Sequence, residues 1–212
     1  MSGDPAPPVL TIFAGPNGSG KTTLRNQFVA DGYDLGDYIN ADDIQASWHT
    51  LAPELSSRRE REMWAFHEAE RQRRACLTGG RDFSFETVFS HESKLDFMRD
   101  ARTAGYFIRL LFVATDSPRL NVARVAKRVK DGGHDIETDK VVNRYRRTLT
   151  LLPQAMELAD HSVLFDNSRA TMHAVATIKL AEDRLTSFGI QHPLPSWAET
   201  ALSQYKARQA KP

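Results

Sequence analysis

Val9-Leu10-Thr11-Ile12-Phe13-Ala14, followed directly by Gly15-Pro16-Asn17-Gly18-Ser19-Gly20-Lys21-Thr22, is the stretch on which the fold turns. The first six residues form a nearly continuous apolar run, the pattern of a strand covered on both faces. The next eight satisfy G-x-x-x-x-G-K-[ST] in full, and a helical pattern starts at Lys21. Each residue type has a reason. Glycines at 15, 18 and 20 allow backbone angles closed to other residues, so that consecutive N–H groups converge on phosphate oxygens. The helix that follows directs its N-terminal partial positive charge at the same oxygens. Lys21 reaches the terminal phosphates, and the Thr22 hydroxyl is the expected ligand for Mg²⁺. Gly15, Pro16, Asn17, Gly18, Ser19, Gly20, Lys21 and Thr22 are therefore the expected ATP contacts, and Thr23 adds a hydroxyl for the α-phosphate.

Working outward, further runs rich in β-branched or aromatic residues recur at Asp37–Asn40, Asp82–Phe89, Tyr106–Thr115 and His161–Asp166. Between and after them lie helix-length segments at about 21–31, 42–78, 91–104, 117–131, 138–159 and 169–187, with a kink or restart expected at Pro153. Alternation of this kind predicts a three-layer α/β fold of the P-loop NTPase type: a five-stranded, mostly parallel sheet flanked by helices, with an Arg-rich helical lid. The expected organisation is a flexible leader over 1–8, a P-loop kinase domain over 9–188 with the lid at about 117–150, and a C-terminal extension over 189–212.

Composition bounds the partners. Among 212 residues, 28 Lys and Arg nearly cancel 27 Asp and Glu, so a globally basic nucleic-acid surface is absent and nucleic acid is disfavoured as a partner. Cys76 is the single cysteine and has no intramolecular disulfide partner, which suits a reducing compartment. No apolar stretch approaches the roughly 20 residues that span a bilayer, and residues 1–8 lack the layout of a signal peptide. A cytoplasmic protein without membrane partners is expected.

The rest of the chain narrows the class. The N/T-K-x-D guanine-reading motif of GTPases is missing, as is an L-S-G-G-Q-like signature, and no apolar run leads directly into Asp-Glu. What stands instead is kinase-like. The second strand runs into Ile39-Asn40-Ala41-Asp42-Asp43-Ile44, beyond the carboxyl end of a parallel strand, where ligands bind. Asp42 can orient an acceptor hydroxyl and take its proton during phosphoryl transfer, a reading favoured here over simple capping of the helix that follows. On the third strand, Glu86 is bracketed by aromatics, and Glu86 and Thr87 are candidate acceptor contacts. For Glu86 a second reading stays open: an ion pair with Arg81 or a lid arginine. The segment Leu120–Arg147 carries Arg124, Lys127, Arg128, Lys130, Lys140, Arg144, Arg146 and Arg147 around a hinge-like turn, Asp131-Gly132-Gly133-His134-Asp135. It reads as a lid whose Arg124, Arg128 and Arg144 offset transition-state charge, with a solvated charged face as the bland alternative. His134 reads as a hydrogen-bonder in that turn. No histidine or cysteine spacing suggests zinc. Glu54–Cys76 alternates Arg and Glu around Met63, Trp64, Phe66 and His67, and is expected as an exposed helix with one apolar face beside the acceptor pocket.

Ala14–Thr23, Ile39–Ile44, Phe85–Thr87, and Arg124–Ile136 followed by Arg144-Tyr145-Arg146-Arg147 together resemble the zeta-toxin-like P-loop kinases and their small stand-alone bacterial relatives, over about Val9 to Asn167. The resemblance implies ATP- and Mg²⁺-dependent phosphorylation of a small-molecule hydroxyl, with UDP-N-acetylglucosamine as the acceptor in characterised zeta toxins and an antitoxin protein as partner. It assigns the P-loop lysine to Lys21, the aspartate base to Asp42, the acceptor-contacting glutamate to Glu86, and lid arginines to Arg128 or Arg124 and to Arg144. Val88 departs from the pattern, standing where zeta toxins place a substrate-binding threonine. Two alternatives remain: a nucleotide-binding regulatory module or antitoxin-controlled ATPase with little phosphotransfer, and a kinase of nucleic-acid ends.

Overall fold

The computed structural model describes residues 6–131, 136–181 and 184–210. Of the hinge-like turn Asp131–Asp135, all but Asp131 lie outside the described residues, His134 among them, as does most of the leader. Five parallel strands form the body of one sheet: β1 (Val9–Ala14), β2 (Asp37–Ile39), β3 (Phe83–Thr87), β4 (Phe107–Ala114) and β5 (His161–Asp166). Two more, β6 (His173–Ala181) and β7 (Arg184–Ile190), add on antiparallel, giving the order β2-β3-β1-β4-β5-β6-β7. The sheet therefore has seven strands rather than five, and the helix expected over 169–187 is a pair of strands. The physical reason lies in Ala176, Ile178 and Leu180, which alternate into the core opposite β5, so pairing at the sheet edge outweighed the local helical spacing.

The helices are α1 (Lys21–Ala30), α2 (Ala41–Ala46), α3 (Trp48–Leu51), α4 (Arg58–Thr78), α5 (Ser93–Thr103), α6 (Pro118–Lys130), α7 (Thr138–Leu158) and α8 (Ser196–Gln209). The segment expected as one helix over 42–78 is broken before Ser57, which starts α4 afresh with a capping box: its hydroxyl accepts from the Glu60 N–H, and the Glu60 carboxylate accepts from the Ser57 N–H. Helix α7 runs through Pro153 without restarting. Along α4 the buried stripe is Ala65, Ala69, Arg73 and Cys76, whereas Met63 and Phe66 are exposed. The apolar face expected around Met63 and Phe66 thus turns to solvent, and the face packed on the sheet is Ala65, Ala69, Cys76 and the Arg73 guanidinium over Phe85.

Alternation along the central strands divides the core. Leu10, Ile12 and Ala14 of β1, with Leu110 and Phe112 of β4, join the larger cluster that also takes in α5, α7 and α8. Phe13, Leu111 and Val113 face the other way, onto Leu24 of α1. Both sheet faces are covered, which explains why these strands read as continuous apolar runs. Helix α8 contributes Trp197, Ala198, Ala201, Leu202 and Tyr205 to the larger cluster. The carboxyl ends of β1, β2, β3 and β4 consequently open on one side, where the loops that follow them meet.

Candidate functional site

The turn after β1 is forced by close packing. At Gly15 φ is +148°, and a Cβ there would lie 2.0 Å from the Val113 carbonyl oxygen, so only glycine lets the chain leave β1 against β4. The loop closes on itself through the Ser19 N–H, which donates to the Pro16 carbonyl at 3.2 Å. Ser19 is fully buried and its hydroxyl lacks a hydrogen-bond partner. Helix α1 then begins at Lys21 with no side-chain cap, so the backbone donors of its first turn stay available to a ligand.

Above this loop lies a cleft of about 770 Å³. Its floor holds Asn17, Gly18, Lys21 and Thr22. Asp42 enters from α2, Glu86, Thr87 and Val88 from the end of β3, and Arg58, Arg59, Glu62 and Arg73 from α4. Arg128 of α6 and Glu137, Lys140 and Arg144 around the start of α7 close the remaining side. Residues distant in sequence converge because β3 lies between β2 and β1 in the sheet, which brings both neighbouring loops to the phosphate loop.

Charge and hydrogen bonding are specific. The Lys21 ammonium donates to the Pro16 carbonyl at 3.0 Å. Burial pushes its pKa down to about 8, opposed by Glu86 and Asp42 and reinforced by Arg128 and Arg144. Glu86 accepts from the Thr22 hydroxyl at 2.9 Å and from the Tyr38 hydroxyl at 2.7 Å. Burial, then Glu86, holds the Tyr38 phenol far above its usual range, so it stays a donor at any working pH. Arg81 pairs with Asp37 instead of Glu86. The helix cap at α2 belongs to Asn40, whose side-chain oxygen accepts from the Asp42 N–H at 3.1 Å, so Asp42 itself is not the cap.

The structure brings Asn17, Gly18, Lys21, Thr22, Asp42, Glu86, Thr87, Arg128 and Arg144 to one cleft. Gly15, Pro16, Ser19 and Gly20 build the loop without lining the cleft, and Thr23, exposed on α1, and Arg124, whose guanidinium donates to the Asn167 carbonyl at 2.8 Å, stand outside it. Arg144 reaches the Asn17 side-chain oxygen at 3.4 Å, so the start of α7 touches the loop directly. Sequence reasoning missed Arg73, Arg58 and Arg59 as cleft residues, and Tyr38 as the donor that holds Glu86. A tyrosine two residues before the strand-end Asn40 was a usable signal. Nothing in the Arg/Glu alternation marked Arg73, which is buried, ion-paired with Glu70 and stacked over Phe85.

Among the described residues no group of three or more His, Cys, Asp or Glu could hold a metal ion. Mg²⁺ needs no such cage: it takes one or two protein oxygens beside phosphates and water. The Thr22 hydroxyl proton is committed to Glu86, leaving oxygen lone pairs beside a carboxylate, a hard-oxygen donor set that fits this ion. No helix of the described residues is long and apolar enough to cross a membrane.

A mostly parallel sheet, a glycine loop feeding a helix N-terminus, and basic helices over the carboxyl ends of the strands define a P-loop protein of kinase-like architecture. The zeta toxin family profile matches residues 2–177, and the chain belongs to that family. An uncharacterised protein of Haemophilus influenzae is 31% identical over 136 residues, covering 63% of this chain and 90% of that one. Among solved structures, the AvrRxo1-ORF1:AvrRxo1-ORF2 complex with sulphate ions is similar with a TM-score of 0.67 at 15% identity, covering 95% of this chain and 65% of the other. The PezAT chromosomal toxin–antitoxin system of Streptococcus pneumoniae is similar with a TM-score of 0.62 at 14% identity, covering 98% and 88%. At these identities the likeness to solved structures is one of fold.

Proposed function

We propose that this chain is an ATP- and Mg²⁺-dependent kinase that phosphorylates a hydroxyl of a small molecule. The observation that carries the reading is the convergence of Lys21, Thr22, Asp42, Glu86, Arg128 and Arg144 on one cleft above a glycine loop. The loop amides and the N-terminus of α1 hold the phosphates of ATP. The Thr22 hydroxyl would hold Mg²⁺ beside the phosphates, and the ion would supply charge neutralisation there. Lys21, Arg128 and Arg144 surround the terminal phosphate and offset the charge that builds on its oxygens during transfer. Asp42 accepts the proton of the acceptor hydroxyl as that oxygen bonds to the γ-phosphorus and the bond to the β-phosphate oxygen breaks, releasing ADP. Glu86, aimed by Tyr38 and Thr22, lies at the junction of the metal and acceptor subsites, with Thr87 beside it.

A nucleotide sugar such as UDP-N-acetylglucosamine is the leading acceptor on the family resemblance, and an antitoxin protein is the corresponding partner in the cytoplasm. Val88 at the cleft, in place of a threonine hydroxyl, gives the acceptor one polar contact fewer than that sugar receives in the family. Incubation with ATP and a panel of nucleotide sugars and other metabolites, read by mass spectrometry, tests the activity. The expected product is one acceptor heavier by a phosphoryl group, formed by the wild type and not by Asp42→Ala, which still binds ATP. Stoichiometric ATP binding with no acceptor phosphorylated across the panel would favour a nucleotide-dependent regulatory module instead.

A further inference from the structure

Two asparagine side chains reach the back of the phosphate loop from elements outside it. Asn121 of α6 is fully buried, and its Nδ2 donates to the Asn17 carbonyl at 2.6 Å. Its Oδ1 accepts from the Thr115 hydroxyl, so the amide orientation is chemically determined: a carbonyl can only accept, and the nitrogen must face it. Asn167, just after β5, donates through Nδ2 to the Ser19 carbonyl at 2.8 Å. Its own carbonyl is held by Arg124. The glycines make room for both. A Cβ at Gly18 would lie 2.8 Å from the Asn121 backbone oxygen, and one at Gly20 would lie 2.5 Å from the Asn167 Nδ2.

A trans peptide is planar, and its C=O and N–H point in opposite directions. A carbonyl of residue 17 or 19 pinned to the framework therefore turns the N–H of residue 18 or 20 the other way, off the framework. We propose that Asn121 and Asn167 are positioning residues for phosphate binding: by gripping the carbonyls of Asn17 and Ser19 they aim the Gly18 and Gly20 amides at the anion. The inference rests on the nucleotide reading of the loop and adds what holds that loop in its binding shape before the ligand arrives. Preorganised donors avoid the cost of ordering a glycine-rich segment at the moment of binding. The same contacts make the first half of α6 part of the frame. Arg124, whose stem lies beside Gly18, then acts behind the loop rather than on phosphate.

The test uses the full chain, isotopically labelled, with inorganic pyrophosphate as probe and ATP in parallel. In the wild type, pyrophosphate should move the Gly18 and Gly20 amide resonances downfield. Asn167→Asp replaces a donor by an acceptor at a half-buried site. It should weaken pyrophosphate and ATP binding about tenfold and lose the Gly20 response while keeping that of Gly18, with the unfolding midpoint little changed. Asn121→Asp should do the converse, and Asn167→Asp carries the test by itself if the buried variant does not fold. Wild-type affinity together with wild-type amide responses in Asn167→Asp would overturn the proposal. A wild type that binds neither pyrophosphate nor ATP would instead overturn the nucleotide reading, and the clamp with it.

Discussion

Lys21 is a partly buried cation whose desolvation depresses its pKa to about 8, and this has two measurable consequences. Between pH 8 and its ordinary 10.5 the unfolded chain holds the Lys21 proton more tightly than the folded one, so this residue costs stability below pH 8, and the cost is relieved as pH rises towards 10.5. Lys21→Met should therefore stabilise the ligand-free protein at pH 7 by on the order of 1–3 kcal/mol and raise its unfolding midpoint, with the advantage fading above pH 8. Thermal scans of both proteins across that range check it, and a Met variant less stable at pH 7 would contradict it. Phosphate acts in the opposite direction, raising the pKa of the lysine it touches. ATP binding at pH 8.5 should accordingly take up protons and weaken as pH climbs, which calorimetry in two buffers of different ionisation heat would reveal. A dissociation constant flat from pH 7 to 9 would separate Lys21 from the phosphates.

At the scale of elements, α4 presents the cleft with Arg58 and Arg59 in its first turn, immediately after the Ser57 cap. Ser57→Ala removes the acceptor for the Glu60 N–H and should cost about 1 kcal/mol, lowering the unfolding midpoint by about 2–4 °C. Fraying of that turn loosens both arginines, so the acceptor KM should rise while ATP affinity holds. Equal loss in both would place α4 on the nucleotide instead. Helix α7 is anchored lower down by the Tyr145 hydroxyl, which donates to the Thr115 carbonyl at 2.6 Å, and by the Thr148 hydroxyl on the Val88 carbonyl at 2.7 Å. These two bonds tie α7 to the segments that follow β4 and β3, beginning one residue beyond Arg144. Elements defined by local pattern were legible in the sequence: the β1–loop–α1 unit announces itself through an apolar run, a glycine motif and a helical period. The β6–β7 pair was not, because Val175, Ile178 and Ala181 also satisfy a helical spacing, and only the neighbouring edge of β5 decides between the two.

For the molecule as a whole, the carboxyl-end opening exists because helices seal both faces of the sheet. Helix α8 closes the larger core with buried Trp197 and Tyr205, and the Trp197 indole N–H donates to Asp166 at 3.1 Å. Truncation after Pro195 should expose that core and leave a protein that unfolds below 37 °C or stays insoluble. A truncated chain with the wild-type unfolding midpoint would show that α8 is dispensable. The site was half legible for a related reason. Lys21, Asp42 and Glu86 each stand in motifs that local reading can rank, whereas Asn121 and Asn167 act on residues 104 and 148 positions away in the chain, partnerships that only the completed sheet creates. The most direct measurement is a crystal structure with Mg²⁺ and a non-hydrolysable ATP analogue. The expected complex has the triphosphate seated on residues 15–22, its terminal phosphate against Lys21 and facing the Asp42 carboxylate across the space left for an acceptor hydroxyl. Phosphates bound elsewhere, or an Asp42 carboxylate turned out to solvent with the nucleotide in place, would contradict it.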